Sequence, residues 1–208
     1  MKKIIFTLLF VLQFVVLSAQ DIKPHFAAVH FSPVFESIKK LKTGFGTSLE
    51  GAYFLNEWFG AGGKFSFSSH NYGYPNFKAS GSASQFGFSG NVFILKRMFN
   101  DKISIIPSIG IGFMSTGLPS GTLTTTELKE TAPGIFSEVA VENKIGATNI
   151  TSFMFNVFGF ECNYHFKPNM SAGINLEYQI SASTKWPDET LGDFFSIGIG
   201  YTYFFGIK

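Results

Sequence analysis

The sequence has a single cysteine, Cys162, in 208 residues. That excludes an intrachain disulfide framework and any cysteine-based metal cluster. Charge is also scarce: charged residues make up 14%, against about 25% in ordinary soluble domains. So little charge leaves no basic stripe for nucleic acid, and a chain this apolar does not have the composition of a disordered one. Beyond the first twenty residues there is no run of about 18 apolar residues, so no membrane-spanning helix is expected. Glycine-rich phosphate loops, metal-ligand spacings and nucleotide fingerprints are all missing, so no cofactor and no metal are expected. In their place stand 27 Phe and 22 Gly, with a mean hydropathy of only +0.20.

The N-terminus has three parts. Met1-Lys2-Lys3 is basic, Ile4 to Leu17 is apolar apart from Thr7 and Gln13, and the small residues Ser18-Ala19 precede Gln20-Asp21. This layout reads as a secretory signal peptide over residues 1–19, because the apolar run is shorter than the roughly 20 residues a spanning helix needs. No cysteine follows the run, so a lipoprotein anchor is excluded. Residues 20–208 are then one domain. Two of the 16 basic residues lie in the removed segment, which leaves 14 basic against 14 acidic and no pull toward a polyanion.

Eight later segments alternate in residue type with period two: 26–35, 44–54, 58–68, 84–95, 102–113, 153–164, 170–181 and 194–205. In the last, Phe195, Ile197, Ile199, Tyr201 and Tyr203 alternate with Ser196, Gly198, Gly200 and Thr202. Period two means a strand with one face against something apolar. The links alternate as well. Short turns follow the second, fourth and sixth strands, and longer links (36–43, 69–83, 114–152, 182–193) follow the others. Antiparallel strands so joined place every short turn at one end and every long loop at the other, the layout of an outer-membrane barrel. The loop 114–152, with Thr122 to Thr126 and then Pro133-Gly134, is expected to hold a short helix or a hairpin beyond the membrane, and to be the place for surface contacts.

The two phases of these strands differ in kind. The bulky phase, with Phe45, Leu49, Phe65, Phe88, Ile109, Ile111 and Phe160, carries no charge. The opposite phase is rich in Gly and Ser and holds the charges inside strands: Glu50, Lys64, Glu161 and Glu177. Closing eight strands leaves an interior wide enough only for side chains. Gly and Ser suit that lumen, so the bulky phase faces outward, which is tolerable only in lipid. Aromatics near the strand ends form two interfacial belts: Phe26, Tyr53, Trp58, Phe99, Tyr164, Phe166, Phe204 and Phe205 on the short-turn side, and Phe67, Phe113, Phe153, Phe194 and Phe195 on the loop side. Three features cut across this order. Pro33 and Pro107 sit inside strands, where a bulge or an overhanging strand is expected. Phe153, Phe155 and Val157 are bulky on the inward phase, which a phase slip near Asn156 would reconcile.

The turn Tyr53-Phe54-Leu55-Asn56-Glu57-Trp58-Phe59-Gly60 and the final strand Ile197-Gly198-Ile199-Gly200-Tyr201-Thr202-Tyr203-Phe204-Phe205 resemble the outer membrane protein beta-barrel domain family, porin-like and PorT-type, with the eight-stranded size of OmpA and OmpX. The resemblance covers residues 20–208. It implies an all-β, eight-stranded antiparallel up-and-down transmembrane barrel in the outer membrane, reached by export to the periplasm. It also implies two partners: outer-membrane lipid, and an assembly machinery that reads the C-terminal strand. Such strands usually end on the recognised aromatic, whereas here Gly206-Ile207-Lys208 follow Phe205. An extracellular partner is unknown.

The candidate site residues are Glu50 and Lys64, nearly opposite across the 55–57 turn, and Glu161 and Glu177, close across the 167–169 turn. They read as a structural ion-pair network filling the lumen, since buried charges must pair. A polar gate or proton path is the other reading. No catalytic residues are expected and the protein is read as a non-enzyme. Its role is in envelope structure or surface contact, with at most limited passage of small solutes. The alternative is a membrane-embedded enzyme acting on lipid, for which His30 with Ser32 is the suggestive pair, without an acidic partner placed by sequence. His70 is expected in a surface loop. A soluble barrel binding an apolar ligand is the third reading.

Overall fold

The computed structural model describes residues 25–36, 41–72, 76–182, 185–186, 189–190 and 193–206. The signal-peptide expectation for residues 1–19 lies outside them. The described chain contains no helix. Its strands are β1 (His25–Glu36), β2 (Leu41–Phe54), β3 (Phe59–Tyr72), β4 (Phe77–Ala79), β5 (Ser82–Ile94), β6 (Lys96–Met98), β7 (Ile103–Leu118), β8 (Gly121–Ala132), β9 (Ile135–Ile145), β10 (Thr148–Lys167), β11 (Met170–Ala182), β12 (Lys185–Trp186), β13 (Glu189–Thr190) and β14 (Asp193–Phe205). The main sheet runs β10-β11-β14-β1-β2-β3-β5-β7, and β7 pairs again with β10. Every pairing around this ring is antiparallel, so eight strands close into an up-and-down barrel. Closure leaves no open edge in the ring, the condition a sheet must meet in lipid.

The short turns are built by local chemistry. Between β2 and β3, Asn56 Oδ1 accepts from the backbone N–H groups of Trp58 (2.9 Å) and Phe59 (2.7 Å). Between β6 and β7, Phe99, Asn100 and Asp101 take positive φ of 53°, 54° and 62°. Asn and Asp accept that backbone readily, while Phe99 is the strained member. The long links are more ordered than loops. β3, β7 and β10 run past the expected strand ends, and β4, β8 and β9 form a three-stranded sheet of their own. The loop 114–152 is therefore a hairpin, of the two forms expected, turning at Pro133-Gly134 with Gly134 at φ 76°.

The outward face is the bulky one. Phe45, Leu49, Phe65, Phe86, Ile109, Ile111 and Ile199 are all exposed. Aromatics pair across strands: Phe65 with Phe88 at 4.8 Å between ring centroids, Phe67 with Phe86 at 4.8 Å and Phe113 with Phe153 at 4.6 Å. Cross-strand pairs of this kind stiffen the wall. At the short-turn end Trp58 is exposed with Lys96 Nζ 4.7 Å from its ring centre, and Tyr164 and Phe166 are exposed beside the 168–169 turn.

Three aromatics do not belong to the belts. Phe26 and Phe204 point inward, fully buried, and join Phe54, Phe93, Leu95 and Ile106 in an apolar plug that fills the short-turn end of the lumen. Phe26 packs edge-on against Phe93 at 5.4 Å. Phe194 is also buried, with Val34, Met114 and Met154, toward the loop end. Near a strand end, an inward Phe and a belt Phe differ only in parity, and the expectation took both as belt.

The irregularities fall partly where expected. Val157 and Phe158 are both exposed while Met154 and Asn156 are buried, and the registers with β7 and β11 shift at this point. The phase slip is thus a β-bulge, and it brings Phe153, Phe155 and Val157 to the outward face. Pro107 lies beside it, opposite Phe160. Pro33 behaves differently. The β1–β14 ladder skips Ser32 and Pro33 but resumes in the same register at Val34, with no bulge. One lost ladder bond is absorbed without any change of phase.

Candidate functional site

Midway along the lumen the chain places its buried charges in one layer. Alternation turns Glu50 (β2), Lys64 (β3), Glu161 (β10) and Glu177 (β11) inward, and all four are buried. Glu50 and Lys64 are direct register partners, as the short turn between them required. Their side chains, however, are 3.8 Å apart, whereas Lys64 Nζ donates to Glu177 Oε2 across the lumen at 2.5 Å. Glu161 and Glu177 are offset by one inward step, since Gly159 faces Glu177 and Glu161 faces Asn175. The second oxygen of Glu177 accepts from Gln179 Nε2 at 2.7 Å, and Glu161 Oε2 accepts from Asn163 Nδ2 at 3.1 Å. Closure therefore links Lys64 to Glu177 and brings Glu50 near Glu161, while Glu161 and Glu177 themselves stay one step apart.

His30 (β1) is the member that spacing did not assign to this layer. Its ring is buried, with Nε2 3.1 Å from Glu161 Oε1 and Nδ1 3.3 Å from Ser48 Oγ. The ring fits because Gly200 faces it on β14: a Cβ there would strike His30 Cδ2. Ser32 is buried on the same face of β1, but His30 turns to Ser48 and Glu161 instead. One ligand-type atom from each of His30, Glu50 and Glu161 lies within 4.8 Å of the other two.

Above the charged layer, Ser32, Ser48, Ser68, Gln85, Gln179 and Ser196 border a cavity of about 50 Å3, which Val34, Met114 and Phe194 also bound. That is room for a few waters. His70, expected in a loop, is instead in β3 and buried, with Nε2 2.8 Å from Ser68 Oγ. His165 reaches Ser104 Oγ at 2.9 Å near the plug. Cys162 is exposed on the outer wall.

Beyond the barrel rim, β8 and β9 carry exposed Leu128, Ile135 and Phe136 around their connecting turn. Glu130 Oε1 holds that turn by accepting from Gly134 N at 2.7 Å.

Solved structures share this architecture. Neisserial surface protein A is 11% identical with a TM-score of 0.51, over 88% of this chain and 96% of that one. A major outer membrane protein from Thermus thermophilus is 12% identical with a TM-score of 0.50, over 88% and 99%. The attachment invasion locus protein Ail of Yersinia pestis is 16% identical with a TM-score of 0.46, over 86% and 98%. No curated protein matches the chain. The model of the family described as "Outer membrane protein beta-barrel domain" matches residues 17–205. With a closed eight-stranded wall, apolar outside and polar within, this chain belongs to the outer membrane protein beta-barrel domain family and is an integral protein of the outer membrane.

Proposed function

We propose that the barrel is a sealed, non-catalytic anchor that holds a β-sheet out from the membrane for surface contact. The observation that carries this reading is the contrast along the axis. The short-turn end of the lumen is closed by the Phe26–Phe54–Phe93–Phe204 plug, and the Lys64–Glu177 ion pair spans the lumen above it. The long links at the other end are built into the β4–β8–β9 sheet with an apolar tip at Leu128, Ile135 and Phe136. Ordered, exposed apolar groups at the end of a projecting hairpin favour an interaction role. Outer-membrane lipid is the partner of the wall, and the barrel-assembly machinery reads β14. The enzyme reading is disfavoured because the Ser48–His30–Glu161 row faces a filled lumen, where no lipid substrate reaches it.

Trypsin added to intact cells tests display. Cleavage at Lys129 or Lys144 of the exposed hairpin is expected, and protection of both would overturn outward display. Planar bilayers test sealing: no steady unit conductance is expected, and a reproducible open level would overturn it.

A further inference from the structure

The charged layer is not balanced. Glu50, Glu161 and Glu177 are three buried carboxylates, and Lys64 is the one ammonium among the described residues that meets them. Lys64 is committed to Glu177 at 2.5 Å and stands off from Glu50 at 3.8 Å. Glu50 and Glu161 are thus left to each other and to His30. The imidazole does not resolve this. Its Nε2 is 3.1 Å from Glu161 Oε1 yet makes no aligned hydrogen bond, so a fully buried nitrogen points into the carboxylate pair without a proper partner. Buried charges persist when they are paired or when they hold a metal.

We propose that His30, Glu50 and Glu161 form a lumenal site for a divalent transition-metal cation, zinc in the first instance. The donor set of one imidazole and two carboxylates suits zinc. With a neutral imidazole, a dication brings the three carboxylates and one ammonium to zero net charge. The ligand-type atoms lie within 4.8 Å of one another, and a tetrahedral zinc site needs about 3.3 Å between ligands, a gap that side-chain rotation closes. Supporting contacts are in place: Ser48 Oγ is 3.3 Å from His30 Nδ1, and Asn163 Nδ2 donates to Glu161 Oε2 at 3.1 Å. Groups in these positions fix a ligand's orientation. The ion would join β1 and β2 to β10 on the far wall, entering from the loop-side cavity or during folding, since the opposite end is closed by the plug.

The inference rests on the lumen geometry alone. A conducting barrel that binds zinc would sink the sealed-anchor reading and leave this one standing. The test uses the folded full chain in detergent micelles, stripped with chelator and titrated with Zn2+ alone, and in a second arm refolded with Zn2+ present. The expected result is one zinc per chain retained through gel filtration. Glu161→Gln and His30→Gln should abolish retention, and Ser48→Ala should weaken binding by roughly tenfold. The shift of the folded band on unheated gels reports whether each variant has closed. Zinc absorption spectroscopy of the wild type should show one imidazole nitrogen with carboxylate oxygens. No retained zinc in either arm, retention unchanged in folded Glu161→Gln, or a shell without imidazole would each overturn the proposal.

Discussion

Lys64 and Phe65 are neighbours in β3 and occupy different solvents. Lys64 is 5% exposed and Phe65 is 63% exposed, the reverse of what a water-soluble sheet would do with them. On the lumen side a charge is acceptable because closure brings Glu177 to it from another strand. On the outer wall, Phe, Leu and Ile and their cross-strand pairs dominate instead. The difference shows that the polarity of each face is set by what the closed ring places opposite it. Hydrophobic content averaged over the strand conveys little of this.

The sharpest way to break the comparison is on the lumen side. Lys64→Ala leaves Glu177 and Glu50 buried without their cation and should destabilise the barrel by about 3–5 kcal/mol, read from urea unfolding in lipid vesicles. A loss under about 1 kcal/mol would mean that water or another ion compensates the layer. On the wall, Phe65→Arg puts a charge where lipid is the solvent and should cost about 2–4 kcal/mol near the midplane. An unchanged midpoint would mean that this face does not meet lipid. The smallest effect belongs to the projecting sheet. Phe136→Arg at its tip should shift stability by less than about 0.5 kcal/mol, because Phe136 supports no core, and a large loss would show that the hairpin braces the barrel.

Alternation was legible because each strand residue meets one of two solvents, and parity alone tells which. The Glu50–Lys64 pairing was legible because a short turn sets the register of a hairpin. The Lys64–Glu177 contact was not, since the two residues are 113 apart in the chain and meet only across the closed lumen. His30 was visible as a chemical group but not as part of the layer, because Glu161, which its ring approaches, lies three strands away around the ring. The plug escaped for another reason: Phe26 and Phe204 sit where an interfacial aromatic is equally at home. The hairpin within 114–152 was half legible, its turn announced by Pro133-Gly134 and its strands obscured by mixed, water-facing residues.

The sequence by itself determined the strand number, the up-and-down order, the end that bears the long links and the face that turns outward. Those properties depend on period two and on link length, and both are local. Tertiary structure decided which inward side chains touch. Tilt and stagger of the closing strands set the heights at which opposite walls meet, and this made one layer of Glu50, Lys64, Glu161, Glu177 and His30 above a plug of phenylalanines.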